Sequence, residues 1–222
     1  MSRFGGSAFK FLIGVSALVS IALGFAIGAR AADGDLDPTF DGDGVVVVQG
    51  SNGGGYLLDV AIQPDGKIVA VGRASFQTAP YVDFKIVRLL ADGSPDPSFG
   101  NGGSVLTDFG GEDTPHTVRI LGDGKILVAG AATHWYNGQI AEFALAQYNP
   151  DGSLDPTFGS GGKLVIDVGG TVQSSSRVRD LEILADGRIL ATGTANDAFT
   201  IARLHPNGAP DTSFGTNGFV QA

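Results

Sequence analysis

The 222-residue chain has no cysteine. A disulfide framework is therefore excluded, and so is anchoring through a lipid-modified cysteine. Basic side chains are scarce: 14 Lys and Arg stand against 23 Asp and Glu. Three of the basic residues (Arg3, Lys10 and Arg30) lie within the first 31 positions, which hold no acidic residue. From Ala32 onward 11 basic side chains face 23 acidic ones, a net charge of −12. A surface of that sign repels phosphate backbones and anionic lipid, which argues against nucleic acid or a membrane surface as the partner. Solubility and affinity for divalent cations are the natural uses of such charge.

Other signatures are missing too. Beyond Gly28 no segment has the length and 3.6-residue periodicity of a substantial helix. The three histidines, His116, His134 and His205, do not fall at the spacings of a zinc site. No Gly-x-Ser-x-Gly occurs, so the nucleophile elbow of a hydrolase is absent.

What is present begins with a leader. Arg3 and Lys10 precede an uncharged run of 18 residues, Phe11 to Gly28, and Ala29-Arg30-Ala31 closes it with small residues at the two positions a signal peptidase reads. This is the pattern of an export signal over residues 1–31, cleaved after Ala31. An uncleaved membrane anchor is the alternative, because 18 residues sits at the short edge of spanning length. The reading places residues 32–222 outside the cytoplasm, in the periplasm, the cell envelope or the medium.

The remainder is organised by one recurring phrase. Leu154-Asp155-Pro156-Thr157-Phe158-Gly159 has counterparts at Leu36-Asp37-Pro38-Thr39-Phe40, Pro95-Asp96-Pro97-Ser98-Phe99-Gly100 and Pro210-Asp211-Thr212-Ser213-Phe214-Gly215. Its aspartates are 59, 59 and 56 residues apart. A fixed period of this size marks stacked or radially arranged supersecondary units, here spanning about 36–95, 96–154, 155–210 and a partial 211–222.

Each period carries four short apolar stretches rich in Val, Ile, Leu and Phe, bounded by Gly, Asp, Asn or Pro. They are Val45 to Val48, Leu58 to Gln63, Lys67 to Gly72 and Phe84 to Leu89, with counterparts in the next two periods and a thirteenth stretch at Gly218 to Ala222. This is the signature of strands. Val60 and Ile62, Val118 and Ile120, and Leu181 and Ile183 recur on one face of matching strands, the core face of a half-polar sheet. Asp65-Gly66, Asp123-Gly124 and Asp186-Gly187 sit between two strands and predict type I′ hairpins, with both central residues at positive φ. A second standard connection, such as Asp151-Gly152-Ser153, runs into the phrase, whose phenylalanines (Phe40, Phe99, Phe158 and Phe214) are expected to plug the core. The other two connections vary between periods. Alternate connections of an up-and-down sheet share one end, so the variable loops cluster at the end where a binding surface is expected.

These motifs resemble the bacterial delta-60 tandem-repeat family. Gln63 to Val69, Phe143 to Leu154 and Asp155 to Gly159 match its consensus, and the likeness covers Asp35 to Val220. The resemblance implies an exported bacterial protein with a β-propeller-like arrangement, and it brings no catalytic residues. Four strands per unit is also the blade of a propeller. The expected fold is thus all-β, three four-stranded blades plus one extra strand, preceded by a signal helix. Either each blade starts with the strand after the phrase, or that strand completes the preceding blade and Val45 to Val48 is left over. The second framing is preferred, because three full blades then finish at Ala222. Three blades leave an open arc with two bare faces, to be closed by a second copy or a partner chain, unless the chain is a structural fragment of a longer repeat protein.

Candidate ligand-binding residues lie in the variable loops. His134-Trp135-Tyr136-Asn137, with Phe76, Tyr81 and His116, would make an aromatic platform for a carbohydrate or peptide. Asp33, Asp35, Asp37, Asp41 and Asp43 are calcium candidates, although Pro38 and Gly44 break the EF-hand pattern and turn chemistry explains the same residues. No other cofactor is indicated. A binding or assembly scaffold is the first functional reading. An envelope hydrolase or lyase using Glu112, Asp113 and Glu142 is the second. Export itself is directly testable: N-terminal sequencing of protein recovered from the periplasm or medium is expected to begin at Ala32, and an intact Met1 in the membrane fraction would establish the anchor instead.

Overall fold

The computed structural model describes residues 34–48, 55–75, 82–134, 140–168 and 176–222. The signal-helix expectation, Trp135, Tyr136, Asn137, Phe76, Tyr81 and Asp33 lie outside the described residues. Leu36–Ala222 forms one compact unit. It is all-β: β1 Gly55–Ile62, β2 Ile68–Ser75, β3 Val82–Leu89, β4 Ser104–Thr107, β5 Glu112–Ile120, β6 Ile126–His134, β7 Ile140–Tyr148, β8 Lys163–Ile166, β9 Arg177–Ile183, β10 Ile189–Ala195, β11 Ala198–Leu204 and β12 Phe219–Gln221. Among the described residues no helix is long and apolar enough to cross a membrane.

Pairing is antiparallel within three groups, β1–β4, β5–β8 and β9–β12, each strand beside its sequence neighbour. We call these blades 1 to 3. A single parallel bridge, Val82↔Glu112, links blade 1 to blade 2. The strand after each phrase therefore completes the blade before it, and the phrase lies inside a blade, between its third and fourth strands. Val45 to Val48, expected as a strand, forms none. The three strands that it would join have no counterpart among the described residues.

The Asp-Gly turns differ from the type I′ expectation. Only their glycines, Gly66, Gly124 and Gly187, have positive φ, at 84°, 83° and 82°. In the first turn the Gly66 amide donates to Gln63 O (2.9 Å) and the Gln63 amide to Lys67 O (2.8 Å). That is a three-residue loop, a type I turn closed by a left-handed glycine. Pro64 with its fixed φ suits its second position, and Asp65 Oδ1 accepts from the Lys67 amide (3.2 Å) instead of taking a positive φ. The first phrase departs in sequence at Asp41 but not in conformation: Asp41 has φ 50°, beside 53°, 54° and 54° at Gly100, Gly159 and Gly215.

The buried aspartate of the phrase holds each blade together. Asp155 Oδ1 accepts from the Thr157 amide (3.0 Å) and hydroxyl (2.7 Å), closing the local turn. Its Oδ2 accepts from Gln147 Nε2 on β7 (2.8 Å) and meets Lys125 Nζ at the entry to β6 (2.9 Å). Asp96 repeats this with Ser98 and Arg88, and Asp211 with Ser213, Arg203 and Arg188. Lys125, followed by Thr157, holds the Asp155 carboxyl far below the usual range. Ser213 and Arg188 do the same for Asp211. At Asp96 burial opposes ionisation, but Ser98 and Arg88 outweigh it and the pKa is lowered.

Blades stack through two apolar layers. Between blades 1 and 2 lie Val71, Phe84, Ile86 and Phe99 from one and Val118, Ile126, Val128 and Tyr148 from the other. Between blades 2 and 3 lie Leu127, Phe143, Leu145 and Phe158 against Leu181, Ile189, Ala191 and Leu204. Tyr148 is fully buried and donates its hydroxyl to Thr107 of blade 1 (2.7 Å). The phrase makes a staple to the next blade. The Gly100 amide donates to Asp151 O (2.8 Å) and the Gly159 amide to Asn207 O (2.9 Å), in the turns of blades 2 and 3. A Cβ on Gly152 would stand 2.9 Å from Gly100 N and 3.0 Å from the Phe99 ring, so only glycine admits the plug there.

Phe158 is completely buried whereas Phe214 is only partly so. Phe158→Ala is expected to lower the unfolding free energy by about 3–5 kcal/mol, and Phe214→Ala by less than half of that. Equal losses in urea titrations would show that the phenylalanine acts within its own blade and not between blades. Asp155→Asn is expected to cost about 2–3 kcal/mol near pH 7, below the full penalty of a buried pair because Lys125 keeps 29% of its side-chain surface in water. Carboxyls with depressed pKa stabilise the fold above the unfolded value of 3.8 and lose that contribution as pH falls below it. Wild-type melting temperature should therefore drop steeply below about pH 4, and less steeply in Asp155→Asn.

Candidate functional site

The two standard turns of every blade share one end, and the variable connections share the other. At the variable end, where blade 1 meets blade 2, three carboxylates converge. Asp83 is the second residue of β3, Asp108 follows β4, and Asp113 is the second residue of β5. One carboxylate oxygen from each lies within 4.8 Å of the other two. The parallel bridge Val82↔Glu112 brings the ends of β3 and β5 side by side and so creates the meeting point.

Asp113 is fully buried, Asp83 half-buried and Asp108 exposed. Asp113 Oδ2 accepts from the Phe109 amide (2.6 Å), and its Oδ1 makes no hydrogen bond of ordinary geometry. Burial pushes the Asp113 carboxyl up to about 7; the charges of Asp108 and Asp83 add to the rise, against the pull of the Phe109 amide and a weaker one from Thr133. Asp83 is raised for the same reasons, burial first and then Asp108. Asp108 Oδ1 accepts from the Gly110 amide (2.5 Å). No described Lys, Arg or His forms a salt bridge with any of the three. Lys163 reaches the same loop, but its ammonium donates to the Asp108 carbonyl (2.9 Å) and sits over the Phe109 ring (5.6 Å).

Of the residues expected to bind a ligand, His134 ends β6 at this same junction. Its Nε2 lies 3.6 Å from Glu142 Oε2, and a Cβ on Gly110 would stand 3.7 Å from its Cε1. His116 lies apart, at the irregularity of β5 between Pro115 and Thr117. Burial, with Arg179 and Arg177 nearby, pulls its pKa down to about 4, so it is neutral at pH 7. The two histidines do not share a site. Among the expected calcium ligands, Asp37 Oδ1 serves the Thr39 amide and hydroxyl, Asp43 Oδ1 serves the Val45 amide, and Asp41 supplies a left-handed turn residue. Asp35 is exposed. The acidic group that converges among the described residues is the trio described above. Of the hydrolase candidates, Asp113 joins that trio and Glu142 pairs with His134.

The second notable surface is the pair of bare blade faces. Val60 occupies the same repeat position as Val118 and Leu181, yet it is 59% exposed where they are 0% and 1%. Ile62, Leu57 and Leu58 are exposed beside it. This corrects the expectation of burial for Val60 and Ile62, because no blade packs on β1 from that side among the described residues. At the far end Phe199 is 77% exposed, whereas its equivalents Phe84 and Phe143 are 0%. Ile201 and Val220 are exposed with it. Leu36–Val48 covers part of the first face: the Asp41 amide donates to Asp92 O (2.8 Å), and a Cβ on Gly93 would press on Val46 and Phe40. It thus takes the place of a phrase and outer strand whose three inner strands are missing there.

No curated protein matches the chain. One family profile does, the β-propeller domain of unknown function DUF5122, over residues 63–99, 121–158 and 184–214. Each match runs from the turn after the first strand of a blade to the phenylalanine of the phrase, so the unit recognised in sequence is the one that the buried aspartate ties together. Three repeat segments of the chain thus match a β-propeller-like repeat family.

Proposed function

We propose that the protein is an exported assembly scaffold that binds a second copy of itself, the bare face of blade 3 docking on the bare face of blade 1. The observation that carries this reading is the contrast between equivalent positions: Phe199 against Phe84 and Phe143, Val60 against Val118 and Leu181. Both internal junctions already show how a face of the first kind buries one of the second kind, so a further copy meets a surface of tested shape. Contiguous apolar faces of this sort mark interaction sites. Such a contact is head to tail, and it closes when two copies meet at both ends.

Two details support the pairing. The Gly100 and Gly159 amides each reach the turn of a following blade, and the Gly215 amide has no such acceptor among the described residues. On the receiving face, Leu36–Val48 already holds the outer-strand place, so what that face lacks is three inner strands. Strands β9–β11 of a second copy present those three. Strand β12, of three residues and three residue pairs, is the one to yield. The variable-loop end, with His134 and its neighbours, is left free on the assembled ring for a carbohydrate or peptide.

Sedimentation equilibrium at micromolar concentration is expected to show a dimer. Val60→Asp and Phe199→Asp each put a charge on one bare face and should give monomers alone, since both contacts then contain a damaged surface. Mixed, they should recover a one-to-one pair through the intact tail of the first and the intact head of the second. A monomeric wild-type chain, or a dimer untouched by both substitutions, rules the reading out.

A further inference from the structure

We propose that Asp83, Asp108 and Asp113 form a calcium site that clamps blade 1 to blade 2 at the variable-loop end. The case begins with donor chemistry. All three side chains offer oxygen only, which suits a hard cation and excludes the nitrogen and sulfur sets that zinc prefers. Calcium oxygens stand at about 2.3–2.6 Å, so ligands on opposite sides of the ion are separated by about 4.6–5.2 Å. The three carboxylate oxygens lie within 4.8 Å of one another, inside the span that oxygens bound to one calcium ion occupy. Magnesium holds its ligands at about 2.0–2.1 Å in strict octahedral geometry, a tighter and less forgiving arrangement.

Convergence of acids alone would not distinguish a site from an acidic surface. The second observation is Asp113 itself, fully buried with Oδ1 making no hydrogen bond of ordinary geometry. A buried carboxylate oxygen without a partner costs free energy that folding does not recover unless something positive arrives. Lys163 is within reach of this loop, but its ammonium is engaged by the Asp108 carbonyl and the Phe109 ring. A bound cation removes the penalty on Asp113 and the mutual repulsion of three carboxylates at once. Because Asp83 and Asp108 come from blade 1 and Asp113 from blade 2, the ion would tie two blades together and set the shape of the loop end. Near the trio, Lys163 is bound to the Asp108 carbonyl and His134 Nε2 lies beside Glu142, so neither forms an ion pair with the three carboxylates.

This site is independent of self-association. The test uses the full chain and calcium chloride as the probe, with calorimetric titration and thermal melts in chelator, calcium or magnesium. One calcium per chain is expected, in the sub-millimolar to millimolar range of extracellular modules, with a melting temperature that rises with calcium and less with magnesium. Asp108→Asn alters an exposed residue and should fold normally while weakening calcium binding roughly tenfold or more. Asp113→Asn should melt no lower than wild type in chelator, because it removes an uncompensated buried charge, and should lose the calcium-dependent rise. Asp123→Asn, on an exposed standard turn, should leave binding unchanged. Absence of stoichiometric binding, or binding that survives Asp108→Asn and Asp113→Asn, overturns the assignment.

Discussion

A buried aspartate in the repeated phrase is the constraint from which the rest of the structure follows. Asp96, Asp155 and Asp211 each close a local turn with one carboxylate oxygen and bind two strands of the sheet with the other. The proline or threonine after the aspartate has little to do with this; the hydroxyl two residues on has much, since it gives Oδ1 a second donor. With its turn locked, the phrase can aim a phenylalanine out of its own blade and into the next. In blades 1 and 3 the arginine that binds the aspartate also lies over that ring, Arg88 at 4.5 Å from Phe99 and Arg203 at 4.6 Å from Phe214. Arg88 reaches further still, donating to the Pro150 carbonyl of blade 2 (2.5 Å). One ion pair thus links turn, sheet and neighbouring blade.

That linkage makes blades interdependent. Each junction buries the lower face of one blade on the upper face of the next, and apolar burial supplies the driving force. Repetition guarantees that an end blade presents a face which, anywhere else in the array, would be covered. Stability of stacked repeats is a sum of unit and neighbour contributions, and terminal units need a cap or a partner. At the start of the array Leu36–Val48 provides half a cap. At its end nothing described provides one, and Phe199 stands in water.

Much of this was legible in the residues. The 59-residue spacing, the Asp-Gly turns and the short apolar stretches imply the blades, and all twelve strands overlap apolar stretches read from the sequence. The type I′ reading failed because Asp-Gly is compatible with two hairpin loops, and the choice falls to strand geometry and to an Asp side chain that prefers to bond an amide two residues ahead. Val45 to Val48 has the composition of a strand but no neighbour to pair with among the described residues, and β structure exists only in pairs. The role of the aspartate had a sequence signal that composition hides: Lys67, Lys125 and Arg188 follow the Asp-Gly turns, one cation for each of the three buried aspartates.

The calcium trio shows the other limit. Asp83, Asp108 and Asp113 span thirty positions and share no motif, so no spacing rule selects them over Asp33 to Asp43, which are dense in sequence and serve turns in space. By itself the chain determined its local elements, its repeat unit and its acidic surface, because turn chemistry and alternation act over a few residues. Tertiary structure alone decided which faces are bare and which carboxylates meet, since burial and electrostatic proximity belong to the packing of one blade on another.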